Sequence, residues 1–203
     1  MVDQRDAWDD FYRTNRRAWR GMNDLSGAMF PAGCRVLEIG CGNGKTAAAL
    51  AEMGYDVTGL DFSLPAIELC REFIPGSEFI CADVRHMPFP DSSFDGIVSF
   101  HVLGHLTSEG LAYAVSEMDR VLRPGSYVFL REFAVGDMRS EKGETVSYNT
   151  VVRGNGILYH YFDVEELCRS FSDFETVRIA TVDERTRFGE TRSRIEAVFR
   201  SRL

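Results

Sequence analysis

The sequence has 203 residues, 44% hydrophobic and 27% charged, which are the proportions of one globular domain rather than of a disordered chain. Its 31 acidic against 23 basic residues leave a formal charge of −8, which argues against a polyanion partner, so nucleic acid is expected to be an unlikely one. No apolar run reaches the roughly 18 residues of a membrane-spanning helix, and the polar opening Met1-Val2-Asp3-Gln4-Arg5-Asp6 holds no signal-peptide core, so a cytoplasmic protein without a membrane partner is expected.

Residues 6–20 predict a polar helix carrying Trp8, Phe11, Tyr12 and Trp19. A short buried strand follows at 34–39 and runs into a glycine cluster. The Ala-rich stretch 46–53 predicts a helix that Gly54 stops. A second strand covers 56–60. Ser63 then caps a helix with Pro65 in its first turn and Ala66, Cys70, Phe73 and Ile74 on one face. Strands three and four are read at 78–82 and 94–100.

The clearest helix starts at Thr107 or Ser108, repeats Leu111, Val115, Met118, Val121 and Leu122 on one face, and ends at Arg123-Pro124-Gly125. A fifth strand covers 127–130. Residues 134–156, rich in Gly and charge, read as a loop insertion. Asp163-x-x-Glu166 forms a capping box before Val164, Leu167, Cys168 and Phe171. Two β-rich stretches, 174–182 and 192–200, close the chain. Seven arginines (178, 185, 187, 192, 194, 200, 202) crowd this end against Asp183, Glu184, Glu190 and Glu196. Five cysteines without CxxC spacing predict buried free thiols in a reducing compartment and no zinc centre.

Strands alternating with helices predict an α/β, doubly wound Rossmann-like parallel sheet with helices on both faces. In such sheets ligands bind beyond the carboxyl ends of the strands, at the switch point. After strand one stands Glu38-Ile39-Gly40-Cys41-Gly42-Asn43-Gly44-Lys45. Its glycines allow a tight turn and close backbone approach, but their spacing fits neither the dinucleotide fingerprint nor a triphosphate P-loop. Glu38 there repels a diphosphate and attracts an ammonium. Asp61 ends strand two, where it can accept from a ribose diol, and Asp83 after strand three can accept from an adenine amine while Val84 packs on the ring. Three acids at three strand ends describe a phosphate-free nucleoside carrying a cation, namely S-adenosylmethionine.

These residues carry a family resemblance. Val36 to Gly44 is similar to motif I of class I S-adenosylmethionine-dependent methyltransferases, and Gly59-Leu60-Asp61-Phe62-Ser63 resembles their second-strand turn. Asp83 with Met87-Pro88-Phe89-Pro90-Asp91-Ser92-Ser93-Phe94-Asp95 resembles a segment of the small-molecule, methyltransferase-11-like branch, and Val121 to Gly125 the turn before strand five. The resemblance covers about 33–132 and implies a seven-stranded sheet with an antiparallel last strand. It implies S-adenosyl-L-methionine as cofactor and S-adenosyl-L-homocysteine as product. Glu38, Gly40, Cys41, Gly42, Asn43 and Gly44 would lie at the methionine end, with Asp61 on the ribose beside Phe62 and Ser63. Asp83 and Val84 would flank the adenine, and Phe100 would border the cofactor. One methyltransferase domain over 1–203 is expected: a helical lid (1–30), the cofactor core (33–132), an acceptor cap (134–160) and a closing helix and hairpin (161–203).

Methyl transfer is an in-line displacement, and a base is needed only where the acceptor must lose a proton. His101 and His105 are weak candidates for that base; a packing or capping role is the favoured reading, and a metal pair is not expected because no third ligand is evident. Tyr148, Tyr159, His160 and Tyr161 are candidates for the pocket roof. The expected reaction is methylation of a small molecule. The alternatives are a wobble-uridine-type tRNA methyltransferase, a catalytically silent partner subunit of the same fold, and a nicotinamide oxidoreductase. The sequence leaves the acceptor atom and the oligomeric state open.

Overall fold

The computed structural model describes residues 4–16, 25 and 30–203. Trp19, Arg17, Arg20 and the predicted helix beyond residue 16 lie outside the described residues. Five helices are described: α1 (Arg5–Thr14), α2 (Lys45–Glu52), α3 (Leu64–Phe73), α4 (Ser108–Val121) and α5 (Val164–Ser170). The strands are β1 (Arg35–Ile39), β2 (Asp56–Asp61), β3 (Glu78–Cys81), β4 (Phe94–Phe100), β5 (Leu122–Phe133), β6 (Glu144–Ser147), β7 (Thr150–Val152), β8 (Leu158–His160), β9 (Glu175–Arg185) and β10 (Thr191–Arg200).

The main sheet has seven strands in the order β3-β2-β1-β4-β5-β10-β9. β1 to β5 pair in parallel, while β10 runs antiparallel to both β5 and β9. The chain is therefore doubly wound, reversing direction beside β1, where β1 and β4 are neighbours. Alternate strand residues feed two cores. Leu37, Ile39, Ile97 and Leu130 pack with Met118 of α4 and Phe171 beyond α5. Val36, Val57, Val98 and Phe129 pack with Leu50 of α2 and Ile67 of α3. Helix α1 lies on α3 through Tyr12, Ala66 and Leu69.

Several local expectations change. Ser63 occupies the cap position of α3, but its hydroxyl donates to Asp9 Oδ1 at 2.6 Å instead of capping the helix. Phe73, the last residue of α3, is 46% exposed and does not share the buried face of Ala66 and Cys70. Thr107 caps α4, accepting from the Gly110 amide. The chain then enters β5 at Leu122 without a separate turn: Leu122 pairs with Phe94, and a bulge absorbs Arg123 to Ser126 before Tyr127 pairs with Gly96. Only half of the predicted capping box forms. Asp163 accepts from the Glu166 amide, whereas the Glu166 side chain meets His160 Nε2 at 2.9 Å. Residues 134–156 are more than a loop: β6, β7 and β8 make a separate antiparallel three-stranded sheet.

Candidate active site

A cavity of about 600 Å³ opens at the carboxyl edge of the main sheet. One wall is made by the ends of β1, β2 and β3 with the turns after them: Gly40, Asp61, Phe62, Asp83 and Val84. A second comes from the turn after β4, through His101, Val102, His105 and Leu106. Helix α1 supplies Arg5, Trp8 and Tyr12, and the small sheet with its connection supplies Val146, Val152, Gly156 and Leu158. Gln4 ties these parts together: its amide donates to the His105 carbonyl at 2.9 Å and accepts from the Leu158 amide at 2.7 Å.

The glycine loop is packed from both sides. A Cβ on Gly40 would lie 2.3 Å from Val102 Cγ2, and one on Gly42 would lie 2.6 Å from the Tyr12 hydroxyl, at φ of +67° and +53°. Only glycine satisfies both the left-handed backbone and the close approach. Asp61 fastens this loop to α3. Its Oδ2 accepts from the Gly42 amide and its Oδ1 from the Ser63 amide, both at 2.9 Å. Burial pushes Asp61 up to about 6 despite these bonds, and Asp9 nearby adds to the rise.

Glu38 is fully enclosed and is not part of the cavity wall. Its carboxyl accepts from the Thr46 hydroxyl and the Ala47 amide, and its Oε2 has no hydrogen-bond partner. Burial lifts it to about 8, with the Asp61 charge a smaller contribution. Burial alone would raise Asp83 too, but the Arg85 side chain and amide bonded to it hold it below the ordinary carboxylate range. Arg85 is bidentate on Asp83, at 2.9 and 2.5 Å.

Other predicted positions lie off the wall. Cys41, Gly42, Asn43, Gly44 and Ser63 stand behind it; the thiols of Cys41 and Cys70 are 3.8 Å apart, and Cys70 reaches the Gly42 carbonyl. Phe100 is on the opposite sheet face, against Phe129 and beneath the Arg131 guanidinium, so it does not border the cavity. The next residue, His101, does. Tyr148, Tyr159, His160 and Tyr161 do not line the cavity either: Tyr148 is 80% exposed, while Tyr161 is buried in a satellite core.

The two histidines are poor acid–base groups. Burial lowers His101 to about 3, with Arg139 and Arg131 adding to the effect, and lowers His105 to about 4. Both are neutral near pH 7. His105 Nδ1 is 2.6 Å from the Leu158 carbonyl, so the proton sits on Nδ1 and leaves Nε2 as an acceptor. His101 stacks on Phe133 at 4.3 Å and holds a left-handed backbone, φ +59°.

A residue that sequence reading passed over organises this turn. Glu132, near the end of β5 and wholly buried, accepts from the Val102 and Leu103 amides at 2.9 and 2.8 Å and from the Gly104 amide at 3.2 Å. Burial pushes its carboxyl up to about 7 although all three amides favour the charged form. A charge at the inner end of an apolar strand, Tyr127-Val128-Phe129-Leu130-Arg131-Glu132, was the available signal.

These residues fit S-adenosylmethionine. Carboxyl groups stand at the ends of three adjacent strands, with Asp61 and Asp83 lining the cavity, Glu38 leaves a buried oxygen unpartnered behind it, and the Gly40 backbone lines it where no Cβ fits. The methyltransferase-domain family profile matches residues 37–130. The chain belongs to the class I S-adenosylmethionine-dependent methyltransferases. Human tRNA N(3)-cytidine methyltransferase METTL2B is 34% identical over 153 residues, 68% of this chain and 40% of that protein. The chain thus spans less than half the length of the curated relatives it matches first. A crystal structure of a SAM-dependent methyltransferase from Methanosarcina mazei superposes with a TM-score of 0.77 at 25% identity, covering 91% of this chain and all of that one. The Burkholderia thailandensis 1,6-didemethyltoxoflavin-N1-methyltransferase, solved with S-adenosylhomocysteine, shares the fold at 19% identity (TM-score 0.77; 98% of this chain, 87% of that one).

The relatives correct one expectation. A small-molecule substrate with nucleic acid unlikely is overturned, because the first curated relatives act on tRNA by name. The physical flaw lay in using net charge: −8 averages the whole surface and is silent about any local basic element.

Proposed function

We propose that this chain transfers the methyl group of S-adenosylmethionine to a neutral ring nitrogen of a nucleobase in RNA, with tRNA as the acceptor. The observation that carries the reading is the character of the cavity's far half. Trp8, Val146, Val152 and Leu158 give it apolar walls, and its two imidazoles, His101 and His105, are held neutral. Neither imidazole is basic enough to take a proton, which suits an acceptor whose lone pair is already free. The N3 of cytosine is such an acceptor, whereas that of uracil carries a proton, and the likeness to tRNA N(3)-cytidine methyltransferases supports RNA as its carrier.

When bound, the cofactor supplies an activated methyl on a sulfonium, so the chain's task is alignment and exclusion of water. In this reading Asp61 keeps one further lone pair on each oxygen for the ribose diol, and Asp83, immobilised by Arg85, accepts from the adenine amine between Phe62 and Val84. Gly40 admits the methionine end, while Glu38, uncharged near pH 7, braces the loop from behind through Thr46 and Ala47. Cys41, Asn43, Gly44 and Ser63 shape the loop. Helix α1 serves as lid and the β6–β8 sheet as acceptor cap, latched by Gln4. Five unbridged cysteines favour the cytoplasm as its compartment.

The test is release of S-adenosylhomocysteine on addition of total tRNA, beside a tRNA-free metabolite extract and the Asp61→Ala variant. Turnover with tRNA alone is expected. Turnover with the extract and none with tRNA would overturn the acceptor assignment.

A further inference from the structure

The β9–β10 hairpin is the outermost part of the main sheet, and β9 is exposed along nearly its whole length. Within the hairpin the charges divide into two zones. Away from the turn two arginines are matched: Arg194 meets Glu184 and Glu196, and Arg200 meets Glu175. At the tip they are not. Arg185, Arg187 and Arg192 are all exposed, Glu190 is the one acid between them, and none of the three arginines has a carboxylate within ion-pair distance among the described residues. Phe188 is 74% exposed, with the Arg187 guanidinium 4.7 Å from its ring centre. The tip is a built turn: the Thr186 amide donates to the Glu190 carbonyl at 2.8 Å and the Gly189 amide to the Thr186 carbonyl at 2.9 Å.

Its placement gives the cluster a purpose. Arg194 pairs with Phe133, the last residue of β5. Residues 191–193 and the turn therefore run past the carboxyl end of the parallel strands, by about 15 Å at strand rise. That is the edge on which the cavity opens. Arginines with an exposed aromatic ring suit a phosphate backbone and an unstacked base, and an apolar or basic partner would leave the three charges unanswered.

We propose that the tip of the β9–β10 hairpin, through Arg185, Arg187, Phe188 and Arg192, is a docking element that grips the RNA strand beside the cavity. The inference rests on the RNA reading above and adds where that RNA is held. The experiment compares the wild-type chain with an Arg185→Gln/Arg187→Gln/Arg192→Gln variant and its all-Lys counterpart, measuring tRNA binding over a salt series and steady-state methyl transfer. The Gln variant is expected to raise KM for tRNA at least about tenfold and to flatten the plot of log affinity against log salt by about two to three units, one per lost phosphate contact. Its kcat, thermal midpoint and S-adenosylhomocysteine affinity are expected to stay at wild-type values, and Lys is expected to restore the slope. Phe188→Ala is expected to raise KM without changing the slope. Unchanged KM and slope in a Gln variant that still methylates tRNA would overturn the docking element and leave the acceptor reading standing. A wild-type chain that neither binds nor methylates tRNA would overturn both.

Discussion

Asp61 and Glu38 show how one chemical group serves two purposes according to its neighbours. Asp61 is buried yet anchored by two amides, and it faces the cavity. Asp61→Ala is expected to weaken S-adenosylhomocysteine binding by about 1–3 kcal/mol in calorimetry, the loss for buried hydrogen bonds to a charged group. An unchanged dissociation constant would reject the ribose role. Glu38, Asp61 and Glu132 all have carboxyls raised by burial, to about 8, 6 and 7. Their folded forms hold protons more tightly than the unfolded chain does. The stability tied to them is therefore complete below the unfolded carboxylate range and is lost as pH climbs through the raised values. The ligand-free protein should melt at progressively lower temperature from about pH 5 to pH 8. Glu38→Gln is expected to flatten that fall and to melt above wild type at pH 8; a wild-type profile that rises with pH over this window would contradict the assignment. The acids at the strand ends were legible in the sequence because strand, turn and acid follow one another in order. Which of them touch the cavity was not, since hydrogen bonds formed on folding decide it: Glu38 turns to α2, and Asp83 is claimed by Arg85.

At the scale of elements, the turn after β4 depends on a single carboxylate. Three consecutive amides converge on Glu132, and a neutral amide side chain offers one acceptor oxygen plus two donors that face those N–H groups. Glu132→Gln is expected to cost about 2–3 kcal/mol in denaturant unfolding and to raise KM for the acceptor, because Val102, His101 and His105 lose their footing. Equal stability of the two proteins would show the amides have other partners. The alternation of short apolar strands with helices made the parallel sheet readable, and the glycine-bounded turns marked its ends. Strands buried on both faces carry no period-two signal, so the side on which Phe100 lies could not be read from its neighbours. The β6–β8 sheet was missed for a different reason. Its strands have three or four residues, β6 is wholly exposed, and pairing rather than local pattern defines them.

For the molecule as a whole, the doubly wound sheet puts the cavity and the arginine-rich hairpin tip at the same edge. An acidic average thus coexists with a local basic element at the edge where an RNA would approach. In the proposed reaction this edge delivers a methyl group to a ring nitrogen without a protein base. This step is tested most directly by incubating the chain with isotope-labelled S-adenosylmethionine and a tRNA pool, digesting the RNA to nucleosides and identifying the labelled product across pH 6 to 9. Label is expected on cytosine N3, at a rate independent of pH in that range. Label on a carbon, a hydroxyl or an exocyclic amine, or a rate that climbs tenfold per pH unit, would contradict it.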